Sequence, residues 1–156
     1  MPAPAGFTQH VAGHWMKSSD QSGPYTFDGV SMILGALGVP ASTVTAASSG
    51  NVANASAVAT LAAVAAKTTY IAGLTITGGG ATAGSLVNAT LAGLAGGTAT
   101  YTFAAPAGAT VGATPLVLVF NPPLPASAVN TAIVLTLPAL GIGNLNAAVS
   151  AWGYQQ

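Results

Sequence analysis

The 156-residue sequence predicts an all-β fold: an antiparallel β-sandwich or jelly roll of seven or eight strands behind an N-terminal arm. Three observations carry that expectation. After residue 48, short runs rich in Val, Ile, Thr, Tyr and Phe recur between clusters of Gly, Pro and Asn, as strands recur between turns. Several runs alternate apolar and polar residues with a period of two. Finally, only Lys17, Lys67, Asp20 and Asp28 carry formal charge, against about 25% charged residues in ordinary domains. The surface must therefore be built from Thr, Ser, Asn, Gly and Ala.

The chain divides into an arm, 1–45, and a β domain, 46–156. The arm holds three of the charges, both histidines, Trp15, Tyr25 and Phe27, and shows no sustained alternation. Within it, 29–37 reads either as a short helix or as extended chain. Asp28 would be the N-cap, Gly38 the stop and Pro40 the breaker just beyond. Strands are expected at 56–64, 69–77, 84–91, 98–104, 115–121, 131–137 and 146–154, with a further short one near Val44 or Val52.

Alternation supports them in turn. Tyr70, Leu74 and Ile76 oppose Thr75 and Thr77. Ala99, Tyr101 and Phe103 oppose Thr98, Thr100 and Thr102. The unbroken apolar run 116–120 predicts a strand covered on both faces. Trp152 and Tyr154, two apart, share a face; it is expected to point inward, in preference to forming an exposed ligand-stacking platform. The stretch 57–67 (AVATLAAVAAK) has helix-favouring composition, but its neighbours and the Val58, Thr60, Ala62, Val64 alternation favour a strand. Turn chemistry fills the connections, among them Gly78-Gly79-Gly80, Gly96-Gly97 and Asn121-Pro122-Pro123.

Composition excludes several functions. Two Lys and no Arg give no patch to neutralise phosphates, so no nucleic-acid partner is expected. The apolar runs 30–39 and 57–66 are too short to span a bilayer, and the N-terminal residues lack the pattern of a secretory signal. With no Cys there is neither a disulfide framework nor a thiolate site. A core containing so much Ala buries little area per residue, which favours burial shared between subunits.

Catalysis finds few candidates. His10 and His14 stand i, i+4 with Asp20 and Asp28 nearby, but Val11-Ala12-Gly13 makes a poor helix and no Glu or Cys joins them. Contacts of the arm explain these residues better than a metal site does. No Gly-x-Ser-x-Gly element accompanies the hydroxyls, and the two carboxylates lie in an irregular segment, unlike a facing glycosidase pair. Gly78 to Gly84 lacks the Gly-Lys-Ser/Thr ending of a phosphate loop. The Thr-x-Thr runs at 75–77 and 98–102 do not recur at the fixed repeat an ice- or lattice-binding grid requires. No enzymatic activity, cofactor or metal is expected.

Two segments carry a resemblance. One is SGNVANASAVATLAAVAAKTTYIAG, 49–73; the other is PPLPASAVNTAIVLTLPALGIGNLNA, 122–147. Residues 48–156 resemble the Ala/Thr/Gly-rich jelly rolls of tailed-phage head decoration (cement) proteins, and similar modules occur in phage fibre tips. The resemblance implies a homo-oligomeric sandwich on the virion exterior, made in the host cytoplasm, with no catalytic residues to carry over. The partners it implies are the major capsid protein and the chain itself, a trimer in preference to a dimer. The arm lies outside the matched region, and Phe7, His10, His14, Trp15, Tyr25 and Phe27 are its expected attachment residues. The alternative is a fibre or receptor-binding module for a host-surface glycan.

Overall fold

A computed structural model describes residues 43–156 in full and, within 1–42, the four strands at 7–11, 14–17, 25–27 and 32–34. The chain divides into two compact units, Met1–Pro40 and Ala41–Gln156. The division precedes the expected boundary at 45 because 43–48 is a strand of the second unit.

In the first unit, β1 (Phe7–Val11) pairs antiparallel with β2 (His14–Lys17), and β3 (Tyr25–Phe27) with β4 (Met32–Leu34). Of the two readings of 29–37, helix and extended chain, the extended one holds at Met32–Leu34, which lie opposite Phe27, Thr26 and Tyr25. β-Branched Ile33 facing a Tyr-Thr-Phe strand suits a ladder better than a helical turn. The remaining positions of that helix lie outside the described residues.

The second unit has eight strands: β5 (Thr43–Ser48), β6 (Ala57–Leu61), β7 (Thr69–Gly79), β8 (Ser85–Leu94), β9 (Gly97–Ala105), β10 (Leu116–Pro125), β11 (Ile133–Leu137) and β12 (Asn146–Gln155). All seven expected strands are present, and the additional one lies at Val44. Val52 instead makes a single bridge to Ala147. The helix-like stretch 57–67 forms β6 and then a connection, since Ala57, Ala59 and Leu61 each have a core position to fill.

Pairing is nested: β5 with β12, β6 with β11, β7 with β10, and β8 with β9, all antiparallel. Two further pairings, β12 with β7 and β11 with β8, roll this long double hairpin into two four-stranded sheets. Their orders are β10-β7-β12-β5 and β6-β11-β8-β9. This is jelly-roll connectivity.

The core between the sheets is mainly aliphatic, with Phe103 its one buried aromatic among the described residues. Ile71, Leu74, Ile76, Ala147, Val149 and Ala151 meet Leu61, Leu91, Ile133, Leu135 and Leu137. Alanine on the core side of β12 (Ala147, Ala151) is buried in one cluster with the leucines and isoleucines of the other strands, large and small side chains filling the interior together. Two buried amides close the ends of this core. Gln155 Nε2 donates to Ala62 O at 2.6 Å and to Thr69 Oγ1 at 3.3 Å. Asn144 Nδ2 donates to Gly79 O at 2.8 Å and to Asn146 O at 3.0 Å.

Three facing expectations are corrected. Tyr70 does not share the Leu74 and Ile76 face, because β7 carries a bulge. Gly73 opposes Trp152 and Ile71 opposes Gly153, leaving Ala72 as the extra residue. Below the bulge Thr69 and Ile71 point inward; above it, Leu74 and Ile76 do. Tyr70 is thus turned outward. Trp152 and Tyr154 share a face as expected, but it is the outer one, since Ala147, Val149 and Ala151 fill the core side of β12. The run 116–120 is covered on one face only: Leu116, Leu118 and Phe120 pack on the core, whereas Val117 and Val119 are 56% and 72% exposed.

Candidate interaction surfaces

The chemistry of the second unit sits on its two outer sheet faces and on its strand edges. On the β10-β7-β12-β5 sheet, register places three cross-strand rows outward. The first runs Val44, Tyr154, Tyr70; the second Ala46, Trp152, Gly73, Val119; the third Ser48, Ser150, Thr75, Val117. Tyr70 and Tyr154 stack, with ring centroids 4.9 Å apart and planes 11° from parallel. Stacked rings on adjacent strands contribute about 0.5–1.5 kcal/mol beyond their burial.

Trp152 is seated by a glycine. A Cβ at position 73 would overlap the indole, so only Gly lets the ring lie against the backbone of β7. Beside it the Ser150 and Ser48 hydroxyls hydrogen-bond at 3.1 Å. A shallow depression of about 310 Å³ is lined by Ala46, Ala47, Ser48, Ser150, Ala151 and Trp152. No charged side chain stands in these three rows, and Val44 is 81% exposed. An aliphatic and aromatic face of this kind can bury area against a partner with no desolvated charge to offset.

The other outer face is a threonine field. One row reads Val58, Thr136, Thr90, Thr100, and the next begins Thr60, Val134, Ala92. Thr98, Thr100 and Thr102 are exposed along β9, as alternation predicts. The only formally charged side chain of Ala41–Gln156 is Lys67, whose Nζ donates to Thr43 Oγ1 at 3.0 Å, at the first residue of β5.

All six arm residues expected to make contacts fall on strands of the first unit: Phe7 and His10 on β1, His14 and Trp15 on β2, Tyr25 and Phe27 on β3. Register sets Phe7 opposite Lys17, Gln9 opposite Trp15 and Val11 opposite His14, with an irregularity at His10. The two histidines thus lie on paired strands, not on one helix face. Asp20 and Asp28 lie outside the described residues.

Sequence reasoning weighed Trp152 and Tyr154 as an exposed platform but set it second to an inward face, and it missed the rows that Tyr70, Val117 and Val119 complete. Their signal was the mismatch between an apolar run such as 116–120 and its position at an edge of the sheet, which only topology discloses. Comparison with family models, with curated proteins and with solved structures returns no match to this chain.

Proposed function

We propose that this chain is a structural virion protein that decorates the outside of a tailed-phage capsid and stabilises the shell by binding, without catalysis. The observation that carries this reading is the uncharged outer face of the β10-β7-β12-β5 sheet, with Val44, Val117, Val119 and Trp152 presented together. A monomer working alone in water rarely leaves such a face bare. A shell component buries it against the major capsid protein or a neighbouring subunit. Many weak contacts of this kind then act together, because each bound copy raises the effective concentration of the next.

The first unit serves as the attachment segment, with the aromatic residues Phe7, Trp15, Tyr25 and Phe27 as its anchors, since aromatics dominate many interfaces. Antibody labelling of purified particles by electron microscopy tests the assignment. Labelled capsid surfaces are expected, and unlabelled particles refute it. Deleting residues 1–27 should leave a folded protein that no longer decorates capsids; decoration at full occupancy by the truncated chain would remove the role given to this segment.

A second reading follows from the outward placement of Trp152 beside the Ser48 and Ser150 hydroxyls. An indole face with neighbouring hydroxyls suits a neutral sugar ring, which makes a host-surface glycan the alternative partner. Binding on a glycan array that is lost in Trp152→Ala would favour it.

A further inference from the structure

We propose that the free edge of β9 docks a second copy of this chain, β9 joining its own copy antiparallel about a two-fold axis. The two four-stranded β6-β11-β8-β9 sheets would then form one continuous eight-stranded sheet. A strand edge exposes a row of unpaired N–H and C=O groups, and proteins that remain monomeric blunt such edges with Lys, Pro, bulges or short length.

Three of the four edges in the second unit are blunted in these ways. β5 carries the Lys67 ammonium on Thr43. β10 contains Pro122, Pro123 and Pro125 and breaks register between Val119 and Leu124. β6 has only five residues. β9 is nine residues long, GTATYTFAA, without charge or proline, and the irregularity in its ladder puts the extra residue on β8, between Leu91 and Leu94, not on β9. Its ladder runs to β8 alone, and among the described residues no other backbone hydrogen bond reaches 97–105. A segment of high β-propensity with neither charge nor proline is the kind that pairs with another chain.

The neighbourhood also calls for cover. Ala99 and Tyr101 of β9, with Leu116, Leu118 and Phe120 of β10, pack on the core yet stay partly exposed. An open cleft of about 590 Å³ separates Thr102 to Pro106 from the segment 111–116. A two-fold pair centred on Thr100 would match Gly97 with Phe103 of the second copy. Because β9 is uncharged throughout, its own copy is an electrostatically compatible partner with no like charges to oppose. Antiparallel self-pairing closes at two subunits. The inference therefore points to a dimer, not the trimer favoured from sequence, and it stands whether or not the chain decorates capsids.

Sedimentation or light scattering of the full chain tests it. The expected mass is that of two 14.9 kDa subunits. Thr100→Lys, an exposed position on the outer face, should weaken association by at least about tenfold. Thr60→Lys, on the same face but at β6, should leave it intact. Hydrogen exchange of the unmodified protein adds a measurement independent of how the variants fold: amide protection across 97–105 should rise with protein concentration. A monomer, whether its edge is bare or covered by the chain's own residues 1–42, overturns the proposal. So does a three-subunit mass, equal weakening by both variants, or concentration-independent exchange.

Discussion

Asn144 is fully buried at the edge of an aliphatic core and joins the end of β7 to the start of β12 through its two carboxamide hydrogen bonds. Its Oδ1 accepts no hydrogen bond from the protein, so the donors carry its contribution. Asn144→Ala strips partners from the Gly79 and Asn146 carbonyls and should cost about 1–3 kcal/mol in urea unfolding. Asn144→Asp should be worse near neutral pH, because the carboxylate would face two carbonyl oxygens. Burial raises the folded-state pKa of that introduced group, so the variant should be most stable below its unfolded pKa of about 3.9. Stability should then fall as pH rises through and above that value. At Gly73, a methyl would displace the indole it supports. Gly73→Ala in a Trp15→Phe background should shift Trp152 emission to the red while β-sheet circular dichroism persists.

Among the elements, β7 determines which aromatics reach the surface. Its extra residue, Ala72, reverses inward and outward positions between Ile71 and Leu74. A one-residue change in register exchanges the faces of a strand. Deleting Ala72 would therefore turn Tyr70 toward the core and Ile71 and Thr69 away from it. The expected loss is at the upper end for a single change, about 4–5 kcal/mol, read as a lowered urea midpoint. Ala72→Ser, which keeps the bulge, should stay within about 0.5 kcal/mol of the parent. Alternation in the sequence identified the strand correctly and the Tyr70 face wrongly, because a bulge adds a residue without a distinctive residue type. In β9, where no such insertion interrupts 98–104, the same reading gave every face correctly.

For the molecule as a whole, the charge distribution separates the two units more sharply than any composition average. Every Asp and His lies within the first 28 residues, and Ala41–Gln156 keeps Lys67 as its only formally charged side chain. Among the described residues no ion pair supports the second unit; nested strand pairing and an aliphatic core do. Acid unfolding ordinarily proceeds by protonating paired carboxylates and buried imidazoles, and this unit has neither. Residues 41–156 expressed alone should fold cooperatively. Their melting temperature should change by no more than a few degrees between pH 3 and pH 8 or between low and high NaCl, as followed by circular dichroism. A melt that collapses in mild acid would show that the unit depends on groups in the first 40 residues.

The sequence by itself determined the all-β class, the positions of the strands in the second unit and the reduction of its formal charge to Lys67 alone. These properties are local: period-two alternation, β-branched runs and turn residues act over a few positions. Tertiary structure decided which apolar residues are left outside. Val117, Val119, Trp152 and Tyr154 are as apolar or aromatic as core residues, and only the sheet order and the β7 bulge assign them to the outer face. Which strands end a sheet is likewise a property of the nested pairing, since β9 reads like any other strand until its neighbours are known. Burial depends on contacts between residues far apart in the chain, and a periodic pattern cannot say what covers the second face.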